Sequence, residues 1–378
     1  SGRLTTNDIN ELTGATNLTV DGQTSETFLL SYLGRVNYDY KGKYLLSASM
    51  RRDGFSGFAP DHKWGNFPGA SVGWKVSEES FMGGVSQITD LKLRASYGKV
   101  GAKPSGAYDY VSPVFTNTLY PFNNVSTQGS YFDKLPNYSF EWEISEMKNI
   151  GIDLAMLKNQ LTLSVEYFIK DTDHLILGTR PATSSGIDNP TDLNIAEMRN
   201  SGWEVAAGYS KTFGDDFTLN LSGNAAFIKN EVNALESANA ALYAGSNQDY
   251  GNSNFTRTVA GSSIQHFYLE QVDGIFQNVG EIIGSDGTPT QAGLNLPMNS
   301  DGTVNTSSTD PAGYNNPINL NKYTRPGDIR FKPGGPVDVG SFMPKMSYGF
   351  NVGATFKGFD LTMFIQGVQG NKVYNGVR

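Results

Sequence analysis

The chain has 378 residues, 43 of them glycine and none cysteine, with 17% charged side chains and a formal net charge of −8 at pH 7. Without cysteine, a disulfide framework, a thiolate zinc site and a cysteine nucleophile are all excluded. An acidic chain is a poor partner for nucleic acid, whose phosphates need a basic surface. No stretch approaches the roughly 18 consecutive apolar residues of a membrane-spanning helix.

The first residues are Ser-Gly-Arg, with neither an initiator methionine nor the apolar segment of a signal peptide. We therefore expect the chain to be a piece of a longer mature protein. Length alone suggests two or three domains, at about 150 residues each. The residue pattern, however, does not divide into blocks and instead repeats as strands along the chain.

Alternating apolar and polar residues predict long antiparallel strands. Between Phe28 and Tyr40 one parity holds Phe28, Leu30, Tyr32, Gly34, Val36, Tyr38 and Tyr40, while the other holds Ser31, Arg35, Asn37 and Asp39. This period of two is typical of a strand with one apolar and one wet face. The pattern resumes after the tight turn at 41–42 and recurs eight more times. We predict ten strands of about 10 to 15 residues.

Strand length and loop layout favour a membrane barrel over a large soluble sandwich, which is the alternative. Sandwich strands average about 5 to 6 residues, whereas a tilted membrane strand needs about 9 to 11. The connections also alternate between short turns and long loops, as in outer-membrane barrels. The short turns are 41–42, 78–89, 157–160, 214–216 and 357–358, and the long loops are 54–63, 101–140, 172–198 and 232–344.

Aromatic residues gather near the short turns. There they would form a girdle at one membrane interface. The predicted girdle consists of Tyr38, Tyr40, Tyr44, Trp74, Phe213, Phe217, Phe356 and Phe359.

The predicted fold class is all-β, a transmembrane antiparallel up-and-down β-barrel with long extracellular loops. Residues 1–378 would form part of one barrel domain. Its segments are an extracellular loop at 1–26, four strands in 27–100, a loop at 101–140, four strands in 141–231, a long loop at 232–344 and two strands in 345–370. Two bare sheet edges in hydrocarbon would cost several kcal/mol per unpaired group, so we expect further strands elsewhere.

Several long segments resemble one family, in that family's order along the chain. They are NYDYKGKYLLSASMRRDGFSGFAPDHKWGNFPGASVGWKVSEESF, LKLRASYGKVG, EWEISEMKNIGIDLAMLKNQLTLSVEYFIKDTDHLIL, MRNSGWEVAAGY, FYLEQVDGIFQN, RPGDIRFK and FDLTMFIQGVQGNKVYN. Together they resemble the SusC/RagA family of TonB-dependent outer-membrane transporters, from Phe28 onward. Ordered matches of this length are far more specific than a short motif.

The resemblance, rather than the residue pattern, implies a barrel of about 22 strands, of which this chain would hold about ten. It also implies an N-terminal plug domain, a Ton box that contacts the TonB-ExbB-ExbD complex, and a SusD-like surface lipoprotein that acts as a lid. The plug domain, the Ton box and the flanking strands are not found between Ser1 and Arg378.

One loop departs from the family's pattern. Members commonly have an Asp/Asn/Gly-rich, calcium-loop-like stretch after the GDIRFK-type segment. Here Lys332 is followed by Pro333-Gly334-Gly335-Pro336-Val337-Asp338. This sequence lacks oxygen ligands at alternate positions, so no calcium site is carried over to it.

Motifs for catalysis or metal binding are weak. GASVG at 69–73 matches the nucleophile-elbow pattern, but that pattern needs a strand-to-helix turn and Ser71 is predicted inside a strand. His62, His174 and His266 are isolated in separate loops, without metalloprotease spacing. A weak calcium site lacks the glycine expected at the sixth loop position. Its candidate ligands are Asp301, Thr303, Asn305 and Asp310.

Loop carboxylates offer a further enzymatic alternative. Glu141 and Glu143, or Asp109, could pair for glycoside chemistry, but any acidic loop offers such pairs. We predict no enzyme activity, no cofactor and no metal site.

Aromatic rings interleaved with amides characterise the two longest loops. They suit stacking on sugar rings together with hydrogen bonding, and suit peptide backbones equally. The alternative is that the rings pack the loops onto the barrel rim and the plug. The candidate substrate-binding residues are Tyr108, Tyr110, Tyr120, Phe122, Asn123, Asn124, Tyr131, Tyr243, Asn247, Asp249, Tyr250, Phe267 and Tyr268.

Four inward-facing charges have two open interpretations. Arg35, Arg51, Lys92 and Arg94 would either meet substrate or hold the plug through ion pairs.

These predictions combine into an energised importer in the outer membrane of a Gram-negative, Bacteroidetes-type cell. It would capture a nutrient oligomer, glycan first and peptide second, on its extracellular loops, and admit it when inner-membrane energy displaces the plug. The expected partners are a SusD-like surface lipoprotein, the TonB-ExbB-ExbD complex, the substrate and outer-membrane lipid, but no nucleic acid. The alternative is a passive barrel or a loop-rich surface adhesin without energised transport.

Overall fold

The structure is a computed structural model. It describes residues 26–103, 106, 108–179, 181–187, 189–235, 240–244, 255–282, 327–332 and 334–374. Antiparallel strands dominate this part of the chain, joined by turns and a few single turns of 3-10 helix. Across these ranges, no helix is long and apolar enough to cross a membrane.

The strands of the described residues are numbered in chain order. They are β1 (Leu29–Tyr40), β2 (Tyr44–Phe55), β3 (Trp64–Lys75), β4 (Ile88–Ala102), β5 (Val114–Phe122), β6 (Val125–Phe132), β7 (Glu143–Met156), β8 (Leu161–Thr179), β9 (Thr191–Phe213), β10 (Phe217–Ala234), β11 (Ala241–Ala244), β12 (Thr256–Val259), β13 (His266–Leu269), β14 (Val272–Ile275), β15 (Ile329–Phe331), β16 (Val337–Gly340), β17 (Met346–Phe356) and β18 (Phe359–Gln369).

Ten of these strands form one antiparallel sheet, in the order β1-β2-β3-β4-β7-β8-β9-β10-β17-β18. Every neighbour in the sheet is also the next long strand along the chain, which is an up-and-down arrangement. The predicted all-β fold and its ten strands are therefore confirmed. Strands β1 and β18 stand at the two ends of the sheet.

Three strands are longer than predicted. β8 has 19 residues, β9 has 23 and β10 has 18. Residues 172–179 and 191–198, which the sequence analysis placed in a loop, pair with each other as the ends of β8 and β9. The alternation is interrupted here, because Leu175, Ile176 and Leu177 are consecutive apolar residues and a bulge shifts the register between Thr172 and Ile176.

The short turns lie where the sequence places them. Between β1 and β2, Lys41 and Gly42 both have positive φ, at 57° and 67°. This is the geometry of a type I′ hairpin turn, whose twist matches that of the flanking strands. The side chain of Asp39 accepts a hydrogen bond from the Gly42 amide at 2.7 Å. The β17–β18 turn repeats the pattern at Lys357 and Gly358, with φ of 46° and 86°.

Aromatic side chains mark two levels on the outward face of the sheet. Those near the short turns contact one another as a girdle would: the Tyr44 and Trp74 rings lie 6.5 Å apart, and those of Phe213 and Phe217 lie 5.8 Å apart. An upper level, absent from the sequence analysis, includes Trp64 and Trp203, which are 43% and 52% exposed.

The two levels are ten residues apart in three strands. The pairs are Trp64 with Trp74, Trp203 with Phe213, and Phe227 with Phe217. Ten residues span about 33 Å along a strand, or roughly 23 Å along the membrane normal at a 45° tilt. This distance matches the apolar band of an outer-membrane barrel, which is about 25 Å tall.

A buried aromatic cluster holds the long-loop ends of β2, β3 and β7 together. It consists of Phe55, Phe58, Phe67, Phe140 and Trp142, each 5% exposed or less. Phe58 and Trp142 lie 5.1 Å apart between ring centroids, and the Trp142 indole donates a hydrogen bond to the Lys63 carbonyl at 3.0 Å. The loops at 56–63 and 133–142 are thereby fixed to the sheet by packing.

The chain divides into two compact units. The second unit is drawn from residues 242–257, 265–342 and 373–378. Within it, β13 pairs with β16 and β14 pairs with β15. Arg330 of β15 bridges Asp273 at 3.0 Å and Glu281 at 3.1 Å. These short strands lie in the stretch that the sequence analysis treated as one long loop.

Candidate functional site

The inward face of the sheet carries an ion-pair network centred on Arg94. Its Nε lies 3.1 Å from Asp153, and its Nη1 bonds to Glu166. Asp153 also accepts a hydrogen bond from the Ser164 hydroxyl at 2.8 Å. The Arg94 charge is thus satisfied by neighbouring strands of the wall itself.

The other inward-facing cations differ in their partners. Arg51 pairs with the nearly buried Asp53 at 2.8 Å. For Arg35 and Lys92, no ion pair is formed with any residue in the described ranges.

The predicted loop 101–140 contains a β-hairpin, β5–β6, which forms a sheet of its own. Tyr120 and Phe122 are 62% and 68% exposed. Asn123 and Asn124 form the two-residue turn with positive φ, at 50° and 61°, so their first role is conformational. Tyr131 stacks on Phe115 within the hairpin at 5.5 Å. No charged residue occurs between β5 and the end of β6.

A second group of candidate rings lies at the base of this hairpin. Tyr110 contacts both Tyr108 and Tyr138, with centroid distances of 6.5 and 6.4 Å, and also packs on the buried aromatic cluster. The Tyr108 hydroxyl donates a hydrogen bond to the Glu26 carbonyl at 3.1 Å. Tyr110 is therefore mainly a packing residue, whereas Tyr138 is 67% exposed.

The second unit brings two further candidates together. Tyr243 and Tyr268 lie 6.0 Å apart, and the Arg257 guanidinium lies 4.1 Å from the Tyr268 ring centroid. Phe267 instead packs against Tyr374 at 6.3 Å and is buried. Tyr243 is thus accessible at 50% exposure, whereas Phe267 is not. The candidates Asn247, Asp249 and Tyr250 lie outside the described residues, as do the candidate calcium ligands at 301–310.

Asp338 forms ion pairs with two residues beside these rings, Arg257 and His266. Its carboxylate lies 2.9 Å from Arg257 Nη2 and 2.7 Å from Nε2 of the buried His266. Burial acts to lower the pKa of Arg257, but the hydrogen bond and charge of Asp338 outweigh it and raise the pKa. Asp338 closes the Pro/Gly stretch that departs from the family's calcium-like loop, and here it serves as an ion-pair partner.

Two of the three histidines meet at Glu141, which the sequence analysis did not foresee. His62 Nδ1 lies 3.2 Å from Glu141 Oε2, and His174 Nδ1 lies 3.6 Å from Glu141 Oε1. The Asn194 amide bonds to the carbonyls of both Glu141 and His174, at 3.0 and 2.9 Å. The expectation that the histidines are isolated is wrong, because a bulge in β8 at 172–175 brings His174 toward the loop of His62.

The geometry gives no support to the catalytic alternatives. Ser71 lies in mid-strand, paired with Ser47 and Ser96, rather than at a strand-to-helix turn. Asp109 is bound by Lys134 at 3.0 Å, and Glu141 by the two histidines. Among the residues that the structure describes, no group of three or more His, Cys, Asp or Glu side chains is arranged to hold a metal ion.

Comparison with known families identifies the barrel. Residues 2–375 match the family described as TonB dependent receptor-like, beta-barrel. The chain belongs to this family. Its members are outer-membrane receptors and transporters, which agrees with the resemblance seen in the sequence.

Named relatives give the same result. The chain is 32% identical over 375 residues to TonB-dependent receptor P39 of Formosa agariphila, covering 95% of this chain and 34% of the relative. It is 28% identical over 354 residues to TonB-dependent receptor SusC of Bacteroides thetaiotaomicron, covering 92% of this chain and 32% of the relative. The chain thus spans about a third of the length of these relatives.

A solved structure with the same fold is that of the RagAB peptide transporter. It superposes with a TM-score of 0.66 at 20% sequence identity, over 97% of this chain and 36% of that one. At this identity the likeness establishes the fold, a TonB-dependent receptor barrel.

Proposed function

We propose that the chain forms part of the wall and outer loops of an energised outer-membrane importer for nutrient oligomers. The observation that carries this proposal is the ten-stranded up-and-down sheet with the family match along nearly its whole length. The relatives named SusC and TonB-dependent receptor support import. The setting would be the outer membrane of a Bacteroidetes-type cell, as for those two bacteria.

The outer loops would supply recognition. Exposed rings at Tyr120, Phe122 and Tyr138 offer flat apolar faces, and the surrounding amides and hydroxyls offer hydrogen bonds. Neutral rings with amides suit stacking on sugars, so glycans rank first. Peptides rank second, and the fold shared with the RagAB peptide transporter keeps them as a candidate.

No covalent step is required of this chain. Import would follow from a difference in ligand affinity between a plugged and an open state, driven by the TonB-ExbB-ExbD complex. A SusD-like surface lipoprotein would close over the loops. Arg35 and Lys92, which form no ion pair with a described residue, would contact the plug or the passing ligand.

The test is uptake by cells that express the complete receptor with its lipoprotein. We expect a fluorescent oligosaccharide to accumulate in cells with an intact TonB and about ten-fold less in cells without it. Uptake that persists undiminished without TonB would overturn energised import and favour a passive barrel. Surface binding without any uptake would favour an adhesin.

A double variant in the β5–β6 hairpin tests the proposed binding residues in the same uptake assay. Changing Tyr120 and Phe122 to Ala should lower oligosaccharide capture several-fold, because two exposed rings are removed without disturbing the buried core. The matched control is Phe81→Ala, which removes a ring of similar exposure, 66%, from a short-turn connection. Equal loss in both variants, or a loss confined to labelled peptides, would contradict the glycan assignment.

A further inference from the structure

A continuous row of charged residues crosses the outward face of five neighbouring strands. The strand register places them directly opposite one another, from β4 through β7, β8 and β9 to β10. The row consists of Lys99, Glu146, Asp171, Arg199 and Glu231. Two more cations, Lys148 and Lys229, lie two residues nearer the short turns on β7 and β10.

This row borders the lipid-facing surface. Four residues nearer the short turns, another line of opposed residues on the same face is apolar or aromatic: Ile150, Tyr167, Trp203 and Phe227. Four residues correspond to about 9 Å along the membrane normal at a 45° tilt. The upper aromatic level marks the edge of the hydrocarbon. Lys148 and Lys229 are two residues beyond it, about 5 Å along the normal and within the headgroups, and the charged row lies at the outer edge of the headgroups.

The acidic residues of the row orient its cations. Glu146 accepts from Lys99 Nζ at 3.0 Å and from Lys148 Nζ at 2.8 Å. Asp171 holds Arg199 through two bonds, at 2.6 and 3.1 Å. Glu231 holds Lys229 at 2.5 Å.

The cations are the exposed partners in these pairs. The side chains of Lys148, Arg199 and Lys229 are 53%, 47% and 72% exposed, whereas those of Glu146 and Asp171 are 20% and 15% exposed. The acids therefore lie close to the sheet, and the positive groups project outward. A ligand that approaches from the membrane side meets positive charge first.

We propose that Lys148, Arg199 and Lys229 bind the phosphate groups of outer-leaflet lipid headgroups. The site is continuous with the lipid-facing surface, and its exposed groups are cations at headgroup depth. Lys and Arg are the side chains that bind phosphate, through charge and directed hydrogen bonds. This inference depends on the barrel fold and not on what the receptor imports.

The experiment measures lipid retention by the complete receptor in detergent, using native mass spectrometry. The probes are a bis-phosphorylated lipid A-type glycolipid and the same glycolipid after phosphatase treatment. We expect the wild type to retain the phosphorylated form at least ten-fold better. The triple change Lys148→Gln, Arg199→Gln and Lys229→Gln should abolish this preference.

The matched control removes three cations from the inward face of the same sheet: Arg35→Gln, Lys92→Gln and Lys170→Gln. This variant should retain the phosphorylated glycolipid as the wild type does. The proposal would be overturned if the wild type retained both glycolipids equally, or if the outward-face and inward-face triple variants lost the same amount. The charged row would then be only a hydrated set of ion pairs at the rim. Full displacement of the glycolipid by millimolar inorganic phosphate would likewise overturn a lipid-specific site.

Folding of each variant is checked by gel electrophoresis. A folded barrel resists SDS, so its gel band shifts only after the sample is heated. If the triple variant fails to fold, the single change Lys148→Gln provides the test, because Glu146 keeps Lys99 as its partner. That variant should lose about three-fold or more of the phosphate preference. A single variant that folds and retains the full preference would contradict the proposal.

Discussion

Gly101 lies where β4 crosses the buried aromatic cluster, and its lack of a side chain is required by packing. A Cβ at this position would overlap the Phe67 ring and lie 2.9 Å from Cε3 of Trp142. Both rings are held on several sides and cannot move aside. The cluster therefore depends on a glycine that no turn or positive φ requires.

We expect Gly101→Ala to destabilise the folded barrel by about 1–3 kcal/mol, the usual cost of overpacking a filled core. The control is Gly98→Ala in the same strand, where an added Cβ meets nothing within 4 Å. That change should stay within about 0.5 kcal/mol of the wild type. The measurement is urea unfolding of the complete receptor in micelles. Equal effects at the two positions would show that the cluster tolerates added volume.

At the same scale, the sequence predicted the rings of the site better than their roles. Tyr120 and Phe122 are exposed as a binding function needs, whereas Phe267 and Tyr110 pack inside their units. Alternation and composition reveal that a loop is rich in aromatic residues, but not which ring turns inward. That choice depends on contacts between residues far apart in sequence.

Among the connecting elements, the segment between β3 and β4 contains Glu79, a carboxylate that makes the stability of the fold depend on pH. Glu79 accepts hydrogen bonds from the Tyr44 hydroxyl at 2.7 Å, the Trp74 indole at 3.2 Å and the Lys43 ammonium at 3.1 Å. These three bonds, that from Tyr44 foremost, lower the pKa of Glu79 below its ordinary value of 4.5.

A lowered carboxylate pKa adds stability above the unfolded-state value of 4.5, and this stability is lost as the pH falls through the folded-state pKa. We therefore expect Glu79→Gln to lower the urea midpoint at pH 7 and to lower it by less at pH 3. The control is Glu78→Gln, since Glu78 makes none of these bonds. A Glu79→Gln deficit of the same size at both pH values would contradict this prediction.

Elements buried in the lipid band were predictable, and those beyond it were not. Hydrocarbon on one side imposes a strict alternation, so β1, β2, β17 and β18 follow from the sequence almost to the residue. The outer ends of β8 and β9 lie beyond this band, where a bulge shifts the register and buried residues such as Thr172 and Ala196 follow local packing rather than a lipid-facing period. The meeting of His62 and His174 at Glu141 depends on a bulge in that same region, which alternation cannot report.

At the scale of the whole molecule, the two ends of the ten-stranded sheet dominate the energetics in a membrane. β1 has 12 residues and β18 has 11, and neither has a partner on its outer side in the described sheet. About half of their backbone groups would be unpaired, at several kcal/mol each in hydrocarbon.

We expect residues 1–378 expressed alone to fail to form an SDS-resistant barrel in lipid vesicles, because no side-chain packing offsets this cost. The complete receptor should form one under the same conditions. The measurement is the shift of the gel band on heating. A heat-sensitive folded band from residues 1–378 alone would show that β1 and β18 find partners, for example by pairing with a second copy.

The exceptional length of β9 has a consequence for where a ligand is first met. Twelve of its residues, 191–202, lie beyond Trp203, and they would raise the rim by roughly 28 Å at a 45° tilt. Lipid headgroups extend only about 5–8 Å past the hydrocarbon. On this side the wall stands as a collar well above the headgroups, so a bulky oligomer can reach its mouth without first approaching the crowded bilayer surface.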